Sequence, residues 1–273
     1  MDSLLIVLGV IVLAFALRSF GHPVPRKAGA VAILAATYLI GYFLTGSHAA
    51  GATGVLSWFL LPWIELLTRI RKLRLPRRKS LRHQSPPNTR RFPNLESFTD
   101  EIEAEEFEYA EDAGWEWDEL KQFFRIFYSE KDRTQAAICL NEQQGLAFVF
   151  VSLTSRAADG RIFRTWNFPF SYTLKMAPEI EVHRVPNAQN FSELLAEHRK
   201  FLERQGVAAT ELIDENPEAL PEQMEVETQQ QISHNLDRGL IEACDQDPEH
   251  VRYSWRGLFY LYGQLVKDMV KLS

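Results

Sequence analysis

The chain has 273 residues, 46% of them hydrophobic, which is enough to bury a sizeable core without disulfide or metal staples. Residues 1–91 hold thirteen Lys or Arg against Asp2 and Glu65, a net of +11, whereas residues 92–273 carry a net of −17, so two physically different objects join near residue 91. The two cysteines, Cys139 and Cys244, argue against a disulfide framework and fit a reducing compartment.

Ser3 to Leu17 is apolar or small throughout, Ala28 to Leu44 is a second apolar stretch, and Ala49 to Leu67 is a third, interrupted by Thr53, Ser57, Pro62 and Glu65. Each approaches the roughly 17–25 residues that a bilayer core requires, the first of them if Arg18 snorkels. The expectation is a transmembrane region over 1–68 with three spans, at about 3–20, 28–45 and 49–68. The basic residues orient it. Arg18, Arg26 and Lys27 lie in the first loop, none lies in the second, and a basic run follows the third span, which places the N-terminus outside and everything after Leu67 inside. A two-span arrangement, with Trp58 and Trp63 marking an interfacial third segment, is the alternative. Met-Asp-Ser lacks the positive start of a signal peptide and reads as a retained anchor. Ala28, Ala32 and Ala36 fall on one helical face suited to close packing. Glu65 reads as an interfacial ion pair with Arg69, one turn on, in preference to an intramembrane proton carrier. His22 and His48 fall in loops.

Residues 69–94 read as a basic, proline-containing linker and hinge, broken by Pro76, Pro86 and Pro87. Its basic cluster, Arg69, Arg71, Lys72, Arg74, Arg77, Arg78, Lys79 and Arg82, is expected to face anionic lipid headgroups. Nucleic acid is not an expected partner, because the cluster adjoins a span and lacks interleaved aromatic residues for base stacking. Beyond it, Ser97 and Asp100 resemble a capping box, and Phe98, Ile102, Tyr109 and Ala113 predict an acidic helix ending at Gly114. Its glutamates are expected to be solvated, with docking on the basic linker as a sharper alternative.

The rest of 95–273 reads as an acidic cytosolic α+β domain. Strands are predicted at Phe124–Ser129, Thr134–Leu140, Leu146–Thr154, Arg161–Phe170 and Ile180–Val185, giving a mainly antiparallel sheet of about five strands flanked by helices. The unbroken apolar run Ala147–Val151 is expected at the centre, covered on both faces. Arg164 interrupts an otherwise apolar strand face, and pairing with a carboxylate or an edge position is expected ahead of anion binding. A helix is predicted after the Asn190 cap, with Glu193 in register, Gly206 as its stop, and Phe191, Leu194, Leu195, His198, Phe201 and Leu202 as its buried stripe. His198 accordingly reads as a structural histidine. Pro221 begins a polar helix running to about Cys244 with an Ile232, Leu236, Leu240 seam, and His234 and Asp237 on it are too few to make a metal site. The last helix, Tyr253–Leu272, is expected to pack on the domain, with the membrane surface as its alternative location.

No phosphate-binding loop, dinucleotide fingerprint, nucleophile elbow, HExxH pair or CxxC motif is present, and no cofactor is expected. His183, Arg184, His198 and His234 are the groups to inspect, but none has a partner motif. The expectation is therefore a membrane-tethered interaction or regulatory module at the plasma (inner) membrane, acting with a membrane or cytosolic protein. A membrane-associated enzyme, to be recognised by a deep cleft with converging polar side chains, is the alternative, together with an accessory subunit of a membrane transport complex.

Overall fold

A computed structural model describes residues 2–20, 22–88, 90, 92–117, 120–143, 146–244 and 247–272. The chain opens with helices α1 (Asp2–Arg18), α2 (Pro23–Thr45) and α3 (His48–Thr68), each packed on the next. Gly46, at φ 69°, closes α2 by returning its amide to the Tyr42 carbonyl, which lets α3 begin two residues later. The apolar segments Val24–Thr45 and His48–Lys72 are both long and apolar enough to cross a membrane. Only 11% of each window is buried inside the protein, unlike the central helix of a water-soluble fold. At 17 residues, α1 is shorter. Its length of about 26 Å falls below the roughly 30 Å of a bilayer core. Three apolar helices are thus present, two of full spanning length.

Small residues bring these helices together. A Cβ at Gly41 would lie 2.8 Å from the Ala50 carbonyl oxygen, and one at Gly29 would lie 2.8 Å from that of Ala14. Ala36 is buried as expected, but Ala28 is exposed and Gly29 takes its place in the contact. His48 is not in a loop but starts α3, where its Nδ1 lies 2.6 Å from the Tyr38 hydroxyl.

The linker is not a free hinge. Its short strands β1 (Leu75–Pro76) and β2 (Arg82–His83) both pair with the domain. The acidic helix stops early: α4 spans Leu95–Glu103, a turn with Glu106 at φ 63° follows, and β3 (Glu108–Trp117) runs where helix was expected. Glutamate favours helix only weakly, and pairing on both edges overrides that preference. The linker therefore does meet the acidic segment, but as a strand, with Arg82 opposite Gly114 and His83 opposite Ala113.

The strands β4 (Leu120–Ser129), β5 (Thr134–Gln143), β6 (Leu146–Arg156), β7 (Ile162–Trp166) and β8 (Ile180–Arg184) follow, close to their predicted positions. With β2 and β3 they form a seven-stranded mixed sheet in the order β2-β3-β4-β5-β6-β7-β8, larger than the five strands expected. All neighbours are antiparallel except β7 and β8, because residues 167–179 cross back over one face and re-enter in the same direction. The run Ala147–Val151 lies on the interior strand β6, but Leu146 and Ala147 are exposed at its start.

Helices α4 and α5 (Phe191–Arg204) cover one sheet face over Phe123, Phe127, Ile138 and Leu153. The Asn190 side chain accepts from the Glu193 amide at 2.9 Å and Gly206 sits at φ 68°, both as the sequence indicates. On the other face lie residues 167–179 and α6 (Leu220–Asp237). This helix ends before its predicted limit: Gly239, at φ 65°, turns the chain into β9 (Ile241–Cys244), which pairs with β10 (Asp247–Tyr253). Ser254 then caps α7 (Trp255–Leu272), its hydroxyl accepting from the Gly257 amide at 3.0 Å. The small sheet β1-β10-β9, α7 and the end of α3 share one core of Leu66, Ile241, Val251, Leu258 and Leu261.

Gly257 is the tight point of that core, since a Cβ there would lie 1.9 Å from the Leu240 carbonyl oxygen. Gly257→Ala should push α7 away from the strand start and lower stability by about 1–3 kcal/mol. Thermal unfolding in detergent reads this as a reduced Tm.

Candidate functional site

The alternation of β4 to β7 sends Phe124, Cys139, Phe150, Ser152, Arg164 and Trp166 to the face beneath α6. The crossing segment contributes Phe168, Tyr172 and Met176, α6 contributes Met224 and Glu227, and the linker contributes Lys79 and Leu81. Together they line an open-sided cavity of about 330 Å³. Its walls are mainly apolar and include an aromatic cluster, in which Phe150 meets Trp166 edge-on at 6.0 Å between centroids, and Phe168 at 5.0 Å.

One side of the cavity is set by a buried ion network. Arg156 donates to Glu227 at 2.6 Å, to Glu215 at 2.7 Å and to the Gln135 amide oxygen at 2.9 Å. Arg164 donates to the other Glu227 oxygen and to Thr154 at 3.2 Å. Arg164 is thus paired with a carboxylate, as its place on an apolar face suggested. Burial pushes the Glu215 carboxyl above the ordinary range, and Arg156 opposes that shift. Cys139 lies on the cavity floor with its thiol pushed up to about 12 by burial, so it is not a poised nucleophile.

Lys79 behaves differently from the rest of the basic cluster. Arg69 pairs with Glu65 at 3.0 Å, the ion pair predicted from their spacing, and Arg71 lies over the Trp255 ring at 3.9 Å. Lys72, Arg74, Arg77, Arg78 and Arg82 are exposed. Lys79 instead turns inward, which corrects its assignment to a lipid-facing surface. It donates to the Gln122 amide oxygen, with its ammonium 4.7 Å from the Trp115 ring centroid and 5.4 Å from that of Phe124. Desolvation lowers its pKa to about 8. Pairing of β2 with β3 fixes the linker and so decides the direction of this side chain.

The histidines and Arg184 do not converge on the cavity. His198 is buried under α5, its Nε2 2.9 Å from the Ser155 hydroxyl and its Nδ1 2.8 Å from that of Thr165. Burial lowers its pKa to about 3, so it is a neutral structural histidine. The His183 ring stacks on Phe201 at 5.3 Å, and Arg184 donates to the Pro169 carbonyl at 2.7 Å. His234 and Asp237 lie on α6, and no group of three metal-capable side chains gathers among the described residues.

Glu227, Arg156 and the inward Lys79 escaped the sequence reading. A signal existed for the first: Leu220, Met224, Glu227, Gln231 and Asn235 repeat at helical spacing, and this mixed stripe faces the sheet and crossing segment. The glutamate in it marks a buried pair only once Arg156 and Arg164 are known to lie opposite.

Glu227→Ala should strand Arg164 without a carboxylate, leave Arg156 with Glu215 alone, and destabilise the domain by roughly 3–5 kcal/mol, measurable by chemical denaturation. His198 yields a second expectation. Between its ordinary value of 6.5 and its native value of about 3, the unfolded chain binds a proton that the folded chain does not. Stability contributed by the neutral ring is therefore complete above pH 6.5 and lost on acidification towards pH 3, by about 1.4 kcal/mol per pH unit. His198→Gln should flatten that part of the stability profile, and an unchanged slope would contradict this account.

Compared with protein-family models, curated proteins and solved structures, the chain matches none.

Proposed function

We propose that the protein is a membrane-tethered interaction or regulatory module whose α+β domain is held against the cytoplasmic face by its own apolar helices. The carrying observation is that the last turns of α3 belong to the domain's core. Leu66 is fully buried there, Trp63 stacks on Tyr262 at 5.0 Å and meets Phe259 at 4.9 Å, and the Tyr262 hydroxyl donates to the Phe59 carbonyl at 3.2 Å. A helix long and apolar enough to span is therefore packed into the domain's core at its end and does not merely trail from it.

In this arrangement α7 lies at the membrane boundary. Trp255 and Phe259 stay exposed on it, as interfacial aromatic side chains do, and Arg69, Lys72 and Arg74 lie within reach of anionic headgroups. The orientation is N-terminus outside and domain inside, at the plasma (inner) membrane, with a membrane or cytosolic protein as partner. Tethering would raise the domain's effective concentration for that partner. The cavity favours a ligand-responsive module over an acid–base enzyme, because Glu227 is already engaged by two arginines, Glu225 accepts from the Leu81 amide, and the thiol is inert.

The full-length protein should sediment with membranes, resist alkaline extraction, and give no alkaline phosphatase activity from a fusion after Ser273. Recovery in the supernatant without detergent would overturn the tether, and an active phosphatase fusion would overturn the orientation.

A further inference from the structure

We infer that the cavity beneath α6 binds a small amphipathic anion, with its carboxylate or phosphate head at Lys79 and its apolar body against the aromatic walls. The inference goes beyond the tether and does not depend on it, since every residue used belongs to the α+β domain and the linker docked on it.

Lys79 is a partly buried cation without an opposing charge. Among the described residues no carboxylate lies within salt-bridge distance of it, and its neighbours are one amide oxygen and two ring faces. Such a group is costly to keep away from water unless an anion joins it. The other cavity cation is already satisfied, because Arg164 is held by Glu227. Cys139 on the floor stays a neutral thiol and supplies no counter-charge, and Glu225, which also lines the cavity, accepts from the Leu81 amide and not from Lys79. One cation is left open, which fits one anionic head. An ammonium has three donors, of which Gln122 uses one.

The rest of the cavity has a different character. Phe124, Phe150, Trp166, Phe168, Met176 and Met224 offer apolar, polarisable surface. Its volume of about 330 Å³ lies at the lower end of the range for small-molecule sites. An inorganic anion would leave these walls unused, whereas a neutral apolar molecule would leave the ammonium uncompensated. Only a molecule with both parts answers both demands. Because Lys79 stands between the two linker strands that follow α3, such a ligand would also pin the linker to the sheet.

The test is calorimetry on the full chain in nanodiscs, with empty nanodiscs subtracted, using laurate, lauryl phosphate, dodecanol and inorganic phosphate. Laurate or lauryl phosphate should bind tighter than dodecanol by roughly 10- to 100-fold, as expected for a charge-assisted hydrogen bond in a partly buried site. Which of the two heads binds better distinguishes a carboxylate source from a phospholipid-derived one, and inorganic phosphate should not bind measurably. Lys79→Met should erase the preference over dodecanol while raising Tm, because it removes an uncompensated charge. Met224→Trp, which fills the cavity and leaves Lys79 intact, should abolish binding of both amphiphiles. Equal binding of laurate, lauryl phosphate and dodecanol, retained preference in Lys79→Met, or phosphate binding as tight as the amphiphiles would each overturn the inference. Membrane fractionation is unaffected by any of these outcomes, so failure here is separable from failure of the tether.

Discussion

Leu66 and Trp63 sit in the last turns of an apolar helix, yet the groups that cover them come from the far end of the chain: Leu258, Phe259 and Tyr262 on α7, and Ile241 and Val251 on the small sheet. This shared core constrains much of the rest. It fixes where α3 ends and where the linker begins. Leu75 is then placed to pair with Val251, and the chain is led towards the edge of the large sheet, where Arg82 meets Gly114. A segment rich in charge and proline, which would otherwise be a spacer, is thereby held as two short edge strands.

The large sheet has two unlike faces. The face under α4 and α5 is closed mainly by aliphatic and phenyl side chains, with the neutral His198 bridging two hydroxyls between strand and helix and one self-contained ion pair, Arg125 with Asp112, beneath α4. The face under α6 is not closed in the same way. The arginines Arg156 and Arg164 point from the strands into it and must be neutralised, which Glu227 does for both and Glu215 for one. Burying charges in this way is weak evidence for stability, because desolvation offsets much of the attraction. It does impose specificity on the position of α6, and with the crossing segment it leaves space between helix and sheet in place of a filled core.

Lys79 connects these two regions. It belongs by sequence to the basic run that follows α3, but by position to the cavity, because the pairing of β2 with β3 draws it over Trp115 and Phe124. A cation in that position links the state of the cavity to the segment that leads out of the apolar helices.

The amino-acid sequence by itself determined whatever depends on near neighbours along the chain. The break in charge near residue 91, the three apolar helices, the Asn190 and Gly206 boundaries of α5, and strands β4 to β8 all report on their own segments through composition, periodicity or capping. The Glu65 to Arg69 ion pair was legible for the same reason, since four residues is one helical turn. Features that depend on a distant partner were decided only in three dimensions. Residues 108–117 became a strand because β2 and β4 were available on either side, and β8 became parallel because its connection crosses a face. Glu227 is buried because two arginines from other strands lie opposite it. A charged residue's own sequence neighbourhood holds no record of that pairing, so the cavity and its open cation emerge only from tertiary structure.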